Sequence, residues 1–226
     1  MERELKFFYK DNFSQMDIII HPIIENHLLS GDSMSYAMRS SYFDTSDELL
    51  RKRKAVLRIR RANEHFYLTF KMPIHEIKDK TDGVFERQEF EFKLSEKEEY
   101  WDSNKGISPA WFLNRMSEKA DYVDQDLKQL LLLLEDRPLN EVCLADYTRN
   151  TYAYEYKLSR FELSFDEGYL GNSEHVEQFS ELEFELLSGS MDDLLSLRTV
   201  LLEELPIIAA KISKYEQAIA IADQFK

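Results

Sequence analysis

Hydrophobic and polar residues alternate along much of this chain. The alternation covers residues 2–8, 36–44, 54–61, 65–72 and 84–94, and it returns at 141–157, 159–167 and 179–187. A period of two residues is typical of a β-strand with one buried face and one polar face. The pattern therefore predicts a run of strands, an interruption from about residue 95 to 140, and a second run of strands.

Apolar residues at helical spacing occur between and after these strands. Residues 14–30 are rich in Ile and Leu at that spacing, and Pro22 predicts a kink or a later start. Within 95–140, residues 127–134 predict a helix that ends before Pro138, and the chain finishes with helices predicted over 191–205 and 209–225. This order predicts an α+β fold with a mostly antiparallel sheet.

The polar face of the predicted strands is dense with charge. Successive side chains of a strand point to opposite faces, so residues two apart share a face and lie about 6.6 Å from one another. The shared faces carry nine acids and five bases: Glu2, Glu4, Glu89, Glu91, Glu162, Asp166, Glu181, Glu183 and Glu185, with Lys6, Arg58, Arg60, Lys71 and Arg87. Carboxylates held this close repel one another unless cations lie between them.

An ordinary sheet with one solvated face is the common explanation for charge on one side of a strand. The density of Glu and Arg over six strands favours instead a barrel with a charged bore and an apolar exterior under helices. Carboxylates bind hard divalent cations, and Arg and Lys bind phosphate oxygens. The pattern thus favours a bore that binds metal and polyphosphate; a water-filled bore with internal ion pairs is the alternative.

The composition limits the partners and the compartment. The chain has 226 residues, with 29 Lys and Arg against 43 Asp and Glu, for a formal net charge of −14. Nucleic acids and anionic membranes attract basic surfaces, so neither is expected as a partner. Cys143 is the one cysteine, which excludes an intramolecular disulfide and a zinc site built from cysteines. With no apolar leader after Met1 and no apolar run longer than residues 130–134, we expect a cytoplasmic protein.

An ordered set of motifs resembles the CYTH superfamily, the triphosphate tunnel metalloenzymes. Residues 2–6 (ERELK) are similar to the ExExK signature of that family. The other similar segments follow in the family's order: 42–45 (YFDT), 57–61 (LRIRR), 68–71 (LTFK), 87–91 (RQEFE), 161–168 (FELSFDEG) and 180–189 (SELEFELLSG). ExExK alone is a weak signal, but the ordered set covers about residues 2 to 220 and is specific.

The resemblance implies a fold and an activity. The family fold is an eight-stranded antiparallel closed β-barrel with a charged interior, flanked by helices, and we expect one such domain over residues 1–226. The last strand is most similar to that of the bacterial inorganic triphosphatases, which implies metal-dependent hydrolysis of inorganic triphosphate to diphosphate and phosphate. Thiamine triphosphatase, class IV adenylyl cyclase and a non-catalytic module that binds polyphosphate or nucleotide are the alternatives. The partner is then a small triphosphate, and the chain is expected to be a monomer or a homodimer.

The resemblance also implies roles for individual residues. Two ions of Mg²⁺ or Mn²⁺ would be bound by Glu2, Glu4, Asp166, Glu183 and Glu185, of which the last four are the catalytic candidates. The triphosphate would be bound by Lys6, Arg58, Arg60, Lys71, Arg87, Arg149, Lys211 and Lys214. Further ligands, bases or partners of the Arg side chains are expected among Glu89, Glu91, Glu162 and Glu181.

Some features depart from the family pattern. Met72 and Pro73 follow Lys71 where the family often has Gly, and a charged loop then extends to Phe85, near a tunnel mouth in the family. Lys214 stands where the family has an Arg before Tyr. Lysine keeps the positive charge but lacks the guanidinium group that can bind a phosphate at two points. The insert at 95–140 carries no catalytic signature. Because the sequence stops at Lys226, we do not expect the C-terminal helical domain that some bacterial inorganic triphosphatases have.

Overall fold

A computed structural model describes residues 2–9, 13–31, 33–72, 81–94, 101–102, 106–107, 110–111, 114 and 125–225. Its strands are β1 Glu2–Tyr9, β2 Met34–Asp44, β3 Val56–Ala62, β4 His65–Met72, β5 Val84–Leu94, β6 Trp101–Asp102, β7 Gly106–Ile107, β8 Asn140–Tyr156, β9 Ser159–Gly171, β10 Val176–Ser188 and β11 Ile207–Ala209. Its helices are α1 Gln15–Ile19, α2 Pro22–Glu25, α3 Leu49–Lys52, α4 Gln125–Leu134, α5 Met191–Glu204 and α6 Lys214–Asp223.

Eight of the strands form a closed antiparallel barrel. The neighbours follow the order β10, β9, β8, β2, β3, β4, β5 and β1, and the pairing of β1 with β10 closes the ring. One edge of β1 is shared, because β5 pairs with residues 2–5 and β11 pairs with residues 7–9. The predicted α+β fold with a closed eight-stranded antiparallel barrel is confirmed. The strands β6 and β7 form a separate two-stranded sheet.

The apolar faces of the strands point outward and are covered by helices. Helix α5 packs on Leu5, Phe7 and the outer faces of β9 and β10 in one buried cluster. Helix α4 covers Leu57, Leu68 and Phe70 on the opposite side. Burying a Leu or Phe side chain stabilises a fold by roughly 1.5–3 kcal/mol. The barrel therefore has its hydrophobic core outside the strand layer, which leaves the bore for polar side chains.

One end of the bore is apolar and is filled by α6. Tyr147 and Phe179 lie on the same strand faces as the charged residues, two positions from Arg149 and Glu181. They pack together with the α6 side chains of Ala218, Ile219 and Ala222. Helix α6 therefore lies across one end of the barrel, with its first residue directed toward the charged part of the bore.

Several helix predictions need correction. The predicted helix over 14–30 is two short helices, because Ile20 ends α1 and Pro22 occupies the first position of α2. The predicted helix over 209–225 begins only at Lys214. Residues 207–209 pair with β1 instead, and Ser213 caps the helix. Within the predicted helical insert at 95–140, α4 and the paired strands β6 and β7 are described, and residues 95–100, 103–105, 108–109, 112–113 and 115–124 lie outside the described residues. Part of the charged loop after Lys71, residues 73–80, lies outside them as well.

Across the described part of the chain, no helix has the length and apolar character that crossing a bilayer requires.

Candidate functional site

A polar cavity of about 230 Å³ lies in the bore of the barrel. Its lining is mostly charged: Glu2, Glu4, Lys6, Tyr42, Val56, Arg58, Arg60, Lys71, Arg87, Glu89, Glu91, Tyr147, Arg149, Glu183, Glu185, Ser213, Lys214 and Tyr215. The strand register brings these residues together, because alternate positions of neighbouring strands stack on the same face. The cavity thus collects most of the metal and triphosphate candidates named from the sequence.

A first group of carboxylates in the bore, here the inner cluster, consists of Asp166, Glu181 and Glu183. Asp166 and Glu181 are fully buried, and Glu183 is 5% exposed. One oxygen of each lies within 4.8 Å of an oxygen of the other two. Asp166 and Glu181 occupy paired positions of β9 and β10, and Glu183 follows two residues later on the same face. The register alone therefore places the three acids side by side.

Cationic side chains already bind the inner cluster. Arg149 donates to Asp166 with both Nε, at 2.7 Å, and Nη2, at 2.6 Å. Lys214 Nζ lies 3.0 Å from Asp166 and 2.8 Å from Glu183, and it donates to Glu181. Burial raises the pKa of Glu183, but Lys214, Lys6 and Arg149 outweigh burial and hold that pKa well below its usual range.

The first turn of α6 fixes the position of Lys214. Ser213 is the N-cap residue, and its side chain accepts a hydrogen bond from the Glu216 backbone N–H. The Glu216 carboxylate accepts in return from the Ser213 backbone N–H at 2.7 Å. Such a capping box satisfies two backbone donors that would otherwise lack partners. Arg87, on β5, lies 3.6 Å from Glu216 and links this turn to the barrel wall.

A second group of carboxylates, here the β1–β10 cluster, consists of Glu2, Glu4 and Glu185. Glu4 and Glu185 occupy paired positions of β1 and β10. Burial and, to a smaller extent, the neighbouring charges of Glu2, Glu4 and Glu162 together raise the pKa of Glu185 to about 7. Burial also raises the pKa of Glu4, although Lys6 opposes this. These shifts indicate negative charge that nearby cations do not balance.

The residues of the β1–β10 cluster fit a hard divalent cation. Glu2 binds Lys71 Nζ at 2.7 Å, and Glu4 lies 2.9 Å from Lys6 Nζ. Glu185 has no ion pair among the residues that the structure describes. Mg²⁺ and Mn²⁺ prefer sets of carboxylate oxygens, and one or two carboxylates plus substrate phosphates are typical for Mg²⁺. A bound cation there would supply the positive charge that this cluster lacks.

Basic side chains of β3 and β4 also line the cavity. Arg60 Nη2 lies 2.8 Å from Glu91, and Lys71 Nζ lies 3.0 Å from Glu89. Arg58 Nη2 lies 3.6 Å from each of these two acids. The Nε atoms of Arg58 and Arg60 are buried without a hydrogen-bond partner in the described structure. Glu89 and Glu91 therefore hold these cationic side chains at the cavity wall.

Four predicted positions are absent from the cavity lining: Lys211, Asp166, Glu162 and Glu181. Lys211 precedes α6; its side chain is 76% exposed, and its Nζ lies 3.8 Å from Asp82. The structure therefore does not bring Lys211 to the triphosphate candidates, because the chain enters α6 only at Lys214. Asp166 is fully buried behind Arg149 and does not line the cavity. Glu162 is also outside the lining, although it pairs in register with Glu185.

Three aromatic residues of the lining were not among the site residues predicted from the sequence. Tyr42, Tyr147 and Tyr215 border the cavity, and the rings of Tyr42 and Tyr215 lie 5.3 Å apart. Burial raises the pKa of Tyr42 to about 12, so its hydroxyl stays protonated at neutral pH. A signal was available for two of them, since Tyr42 begins the YFDT segment and Tyr215 follows Lys214.

A family model agrees with this arrangement of residues. The CYTH domain model matches residues 1–217, which is nearly the whole chain. The chain belongs to the CYTH family. Among curated proteins, this CYTH chain is 26% identical over 186 residues to the inorganic triphosphatase of Haemophilus influenzae, a match that covers 82% of the chain and 46% of the relative. The chain thus spans about half the length of the curated relative it matches.

Solved structures share the fold of this CYTH chain. A Hippeastrum protein studied as an adenylyl cyclase candidate, in which a triphosphatase activity is dominant, matches with a TM-score of 0.63 at 16% identity; the match covers 98% of this chain and 97% of that one. An adenylate cyclase candidate from Bacillus halodurans matches with a TM-score of 0.54 at 20% identity, over 96% and 98% of the two chains. A protein from Pyrococcus horikoshii matches with a TM-score of 0.52 at 22% identity, over 97% and 99%. At these identities the likeness concerns the fold.

Proposed function

We propose that this CYTH chain hydrolyses inorganic triphosphate to diphosphate and phosphate in the barrel bore, with Mg²⁺ or Mn²⁺ as its cofactor. The observation that carries the proposal is that a cluster of carboxylates and a set of basic side chains line one cavity. The β1–β10 cluster, Glu2, Glu4 and Glu185, lines the same cavity as the basic side chains of β3 and β4. A linear polyanion needs cations along its length, and both a divalent ion and Arg or Lys side chains supply them.

The β1–β10 cluster would hold the metal ion. A bound Mg²⁺ or Mn²⁺ would neutralise phosphate charge and lower the pKa of a water molecule that it binds. Asp166 and Glu183, which the family resemblance also assigns to metal, are bound to Arg149 and Lys214. Glu2, Glu4 and Glu185 are therefore the carboxylates that the geometry favours as ligands.

The cationic residues bind and orient the triphosphate. Arg58 and Arg60 line the cavity, and Glu89 and Glu91 hold their guanidinium groups in place. Lys71, Arg87, Lys6 and Arg149 border the same cavity. Because their charges are held by buried carboxylates before substrate arrives, little reorganisation is needed as charge develops on the phosphate oxygens. Such preorganised electrostatic stabilisation is usually a large part of catalysis.

The size of the cavity favours an inorganic substrate. Its volume of about 230 Å³ is below the roughly 300–1,000 Å³ of typical small-molecule sites. Among the lining residues that the structure describes, Val56 is the one aliphatic side chain. A nucleoside or thiamine group would need apolar surface that this lining offers mainly through tyrosine rings. The name of the Haemophilus influenzae relative supports the same substrate.

Phosphate release tests the proposal directly. The assay offers tripolyphosphate, ATP and thiamine triphosphate, each with Mg²⁺, Mn²⁺ or EDTA, and it also measures cyclic AMP from ATP. We expect release from tripolyphosphate that EDTA abolishes and that greatly exceeds release from the organic triphosphates. Faster release from ATP or thiamine triphosphate would contradict the assignment of inorganic triphosphate as the substrate. Binding without turnover would contradict the proposed enzymatic function.

A further inference from the structure

The ammonium group of Lys214 lies at the centre of the inner cluster. It contacts Asp166 at 3.0 Å, Glu183 at 2.8 Å and Glu181. The spacing of these three carboxylates would otherwise suit a metal ion, since one oxygen of each lies within 4.8 Å of the others. We propose that Lys214 is a tethered cation in the position of a second metal ion, so that the chain without substrate binds a single divalent ion.

The charges of the inner cluster balance without a metal ion. Lys214, Arg149 and Lys6 bring three positive charges to the three carboxylates. All three cations are directly paired and mostly buried, with side chains between 9% and 14% exposed. A divalent ion among these acids would leave buried ammonium and guanidinium groups without partners, which is costly. The β1–β10 cluster differs, because Glu185 has no ion pair in the described structure.

The fold keeps Lys214 from leaving the cluster. It is the first residue of α6, whose start is fixed by the capping box between Ser213 and Glu216. The next turns of α6 bury Ala218, Ile219 and Ala222 in the apolar end of the barrel. Withdrawal of the ammonium group would require either a strained side chain or movement of the whole helix. The position of α6 therefore keeps the Lys214 ammonium group within the inner cluster.

Counting bound Mn²⁺ in the absence of triphosphate tests this inference, which rests on the proposed metal-dependent function. Equilibrium dialysis and electron paramagnetic resonance would give the number of ions per chain. The wild-type chain is expected to bind one ion, and Lys214→Met is expected to bind two, because the inner cluster then lacks its central cation. Lys214→Arg keeps a cation and should bind one. Lys128→Met, which changes an exposed lysine of α4, is the matched control and should also bind one.

The difference between Lys214→Met and the wild type decides the result. A gain of one ion supports the inference even if the wild type binds none, in which case it is the proposed metal requirement that fails. No gain in a folded Lys214→Met chain, or two ions in the wild type, overturns the inference while leaving the proposed hydrolysis intact.

Glu181→Gln gives a second test if Lys214→Met does not fold. Glu181 forms an ion pair with Lys214 and lies outside the cavity lining. If Lys214 fills the inner cluster, this substitution leaves both the number of bound ions and the Mn²⁺ affinity unchanged, within about twofold. If the cluster holds a metal, the loss of one carboxylate ligand would weaken binding by at least tenfold, which overturns the inference.

Discussion

Arg149 and Asp166 form a two-pronged ion pair inside the barrel, with Nε to Oδ1 at 2.7 Å and Nη2 to Oδ2 at 2.6 Å. The two residues occupy paired positions of β8 and β9. Asp166 is fully buried, whereas Arg149 also lines the cavity. Asp166 therefore positions a guanidinium group that can contact a phosphate, while its own oxygens are used by Arg149 and Lys214.

Replacing Asp166 with Asn should destabilise the protein strongly. The change leaves Arg149 and Lys214 with less buried negative charge, and removing one partner of a buried pair costs roughly 3–5 kcal/mol. Urea denaturation of the metal-free chain measures the loss. The matched control is Asp146→Asn, because Asp146 pairs with Arg39 at 3.1 Å on the surface, where such pairs contribute about 1 kcal/mol or less. Equal effects of the two substitutions would contradict the structural role of Asp166.

Replacing Glu185 with Gln should stabilise the metal-free protein at high pH. The pKa of Glu185 is about 7 in the native chain, against a usual 4.5 in the unfolded chain. Between pH 4.5 and 7 the unfolded chain has lost a proton that the native chain keeps, so the free energy of unfolding falls as pH rises. At pH 8, Glu185→Gln should exceed the wild type by on the order of 2 kcal/mol.

Thermal denaturation between pH 4 and 8, in EDTA, checks the effect of Glu185. Glu203→Gln is the control, because Glu203 is exposed on α5. Adding Mn²⁺ at pH 8 should raise the melting temperature of the wild type and not that of Glu185→Gln. A Glu185→Gln profile parallel to that of the wild type would show that the charge on Glu185 is balanced by other means.

Replacing Arg58 with Lys should impair triphosphate turnover although the charge is kept. Lys lacks the planar guanidinium group, which can donate to a phosphate at two points, and Arg58 lines the cavity with that group. We expect kcat/KM for tripolyphosphate to fall by about 10²-fold, the usual cost of one lost transition-state donor. Arg61→Lys on the same strand is the control, since Arg61 is exposed on the opposite face. A fall below threefold for Arg58→Lys would remove Arg58 from the substrate site.

Lys71 and Lys211 should differ sharply in their effect on turnover. Lys71 lines the cavity and binds Glu2 and Glu89, whereas Lys211 is 76% exposed beside Asp82. Steady-state kinetics should therefore show a much larger fall in kcat/KM for Lys71→Met than for Lys211→Met. Equal falls would place Lys211 in the path of the substrate and favour the family resemblance over the structure.

The barrel was predictable from the sequence, whereas the contacts of its bore were not. Alternation assigns Arg58, Glu183 and their neighbours to one face of each strand, and closure of the sheet then makes that face the interior. The position of Lys214 depends on where α6 begins. Ile207–Ala209 forms a strand with β1, and Ser213 caps the helix, so Lys211 stays outside and Lys214 enters the bore. Apolar periodicity cannot reveal that start, because residues 207–210 are as apolar as the helix.

The separation of the acids into two clusters also required the structure. Glu183 and Glu185 lie two residues apart on one strand and look equivalent in the sequence. Glu183 is bound by Lys6, Arg149 and Lys214, while Glu185 faces Glu4 across the β1–β10 pairing. Their pKa values accordingly shift in opposite directions. Charge balance of this kind depends on side chains from distant segments.

The most direct test of the central claim is phosphate release from tripolyphosphate by wild-type protein and Glu4→Gln at saturating Mn²⁺. Melting temperatures measured in the same buffer would show that both proteins are folded. We expect rapid release by the wild type, its loss in EDTA, and a fall of about 10²-fold or more in Glu4→Gln, because the metal loses a carboxylate ligand. Wild-type turnover in Glu4→Gln at saturating Mn²⁺ would contradict the assignment of the metal to the β1–β10 cluster.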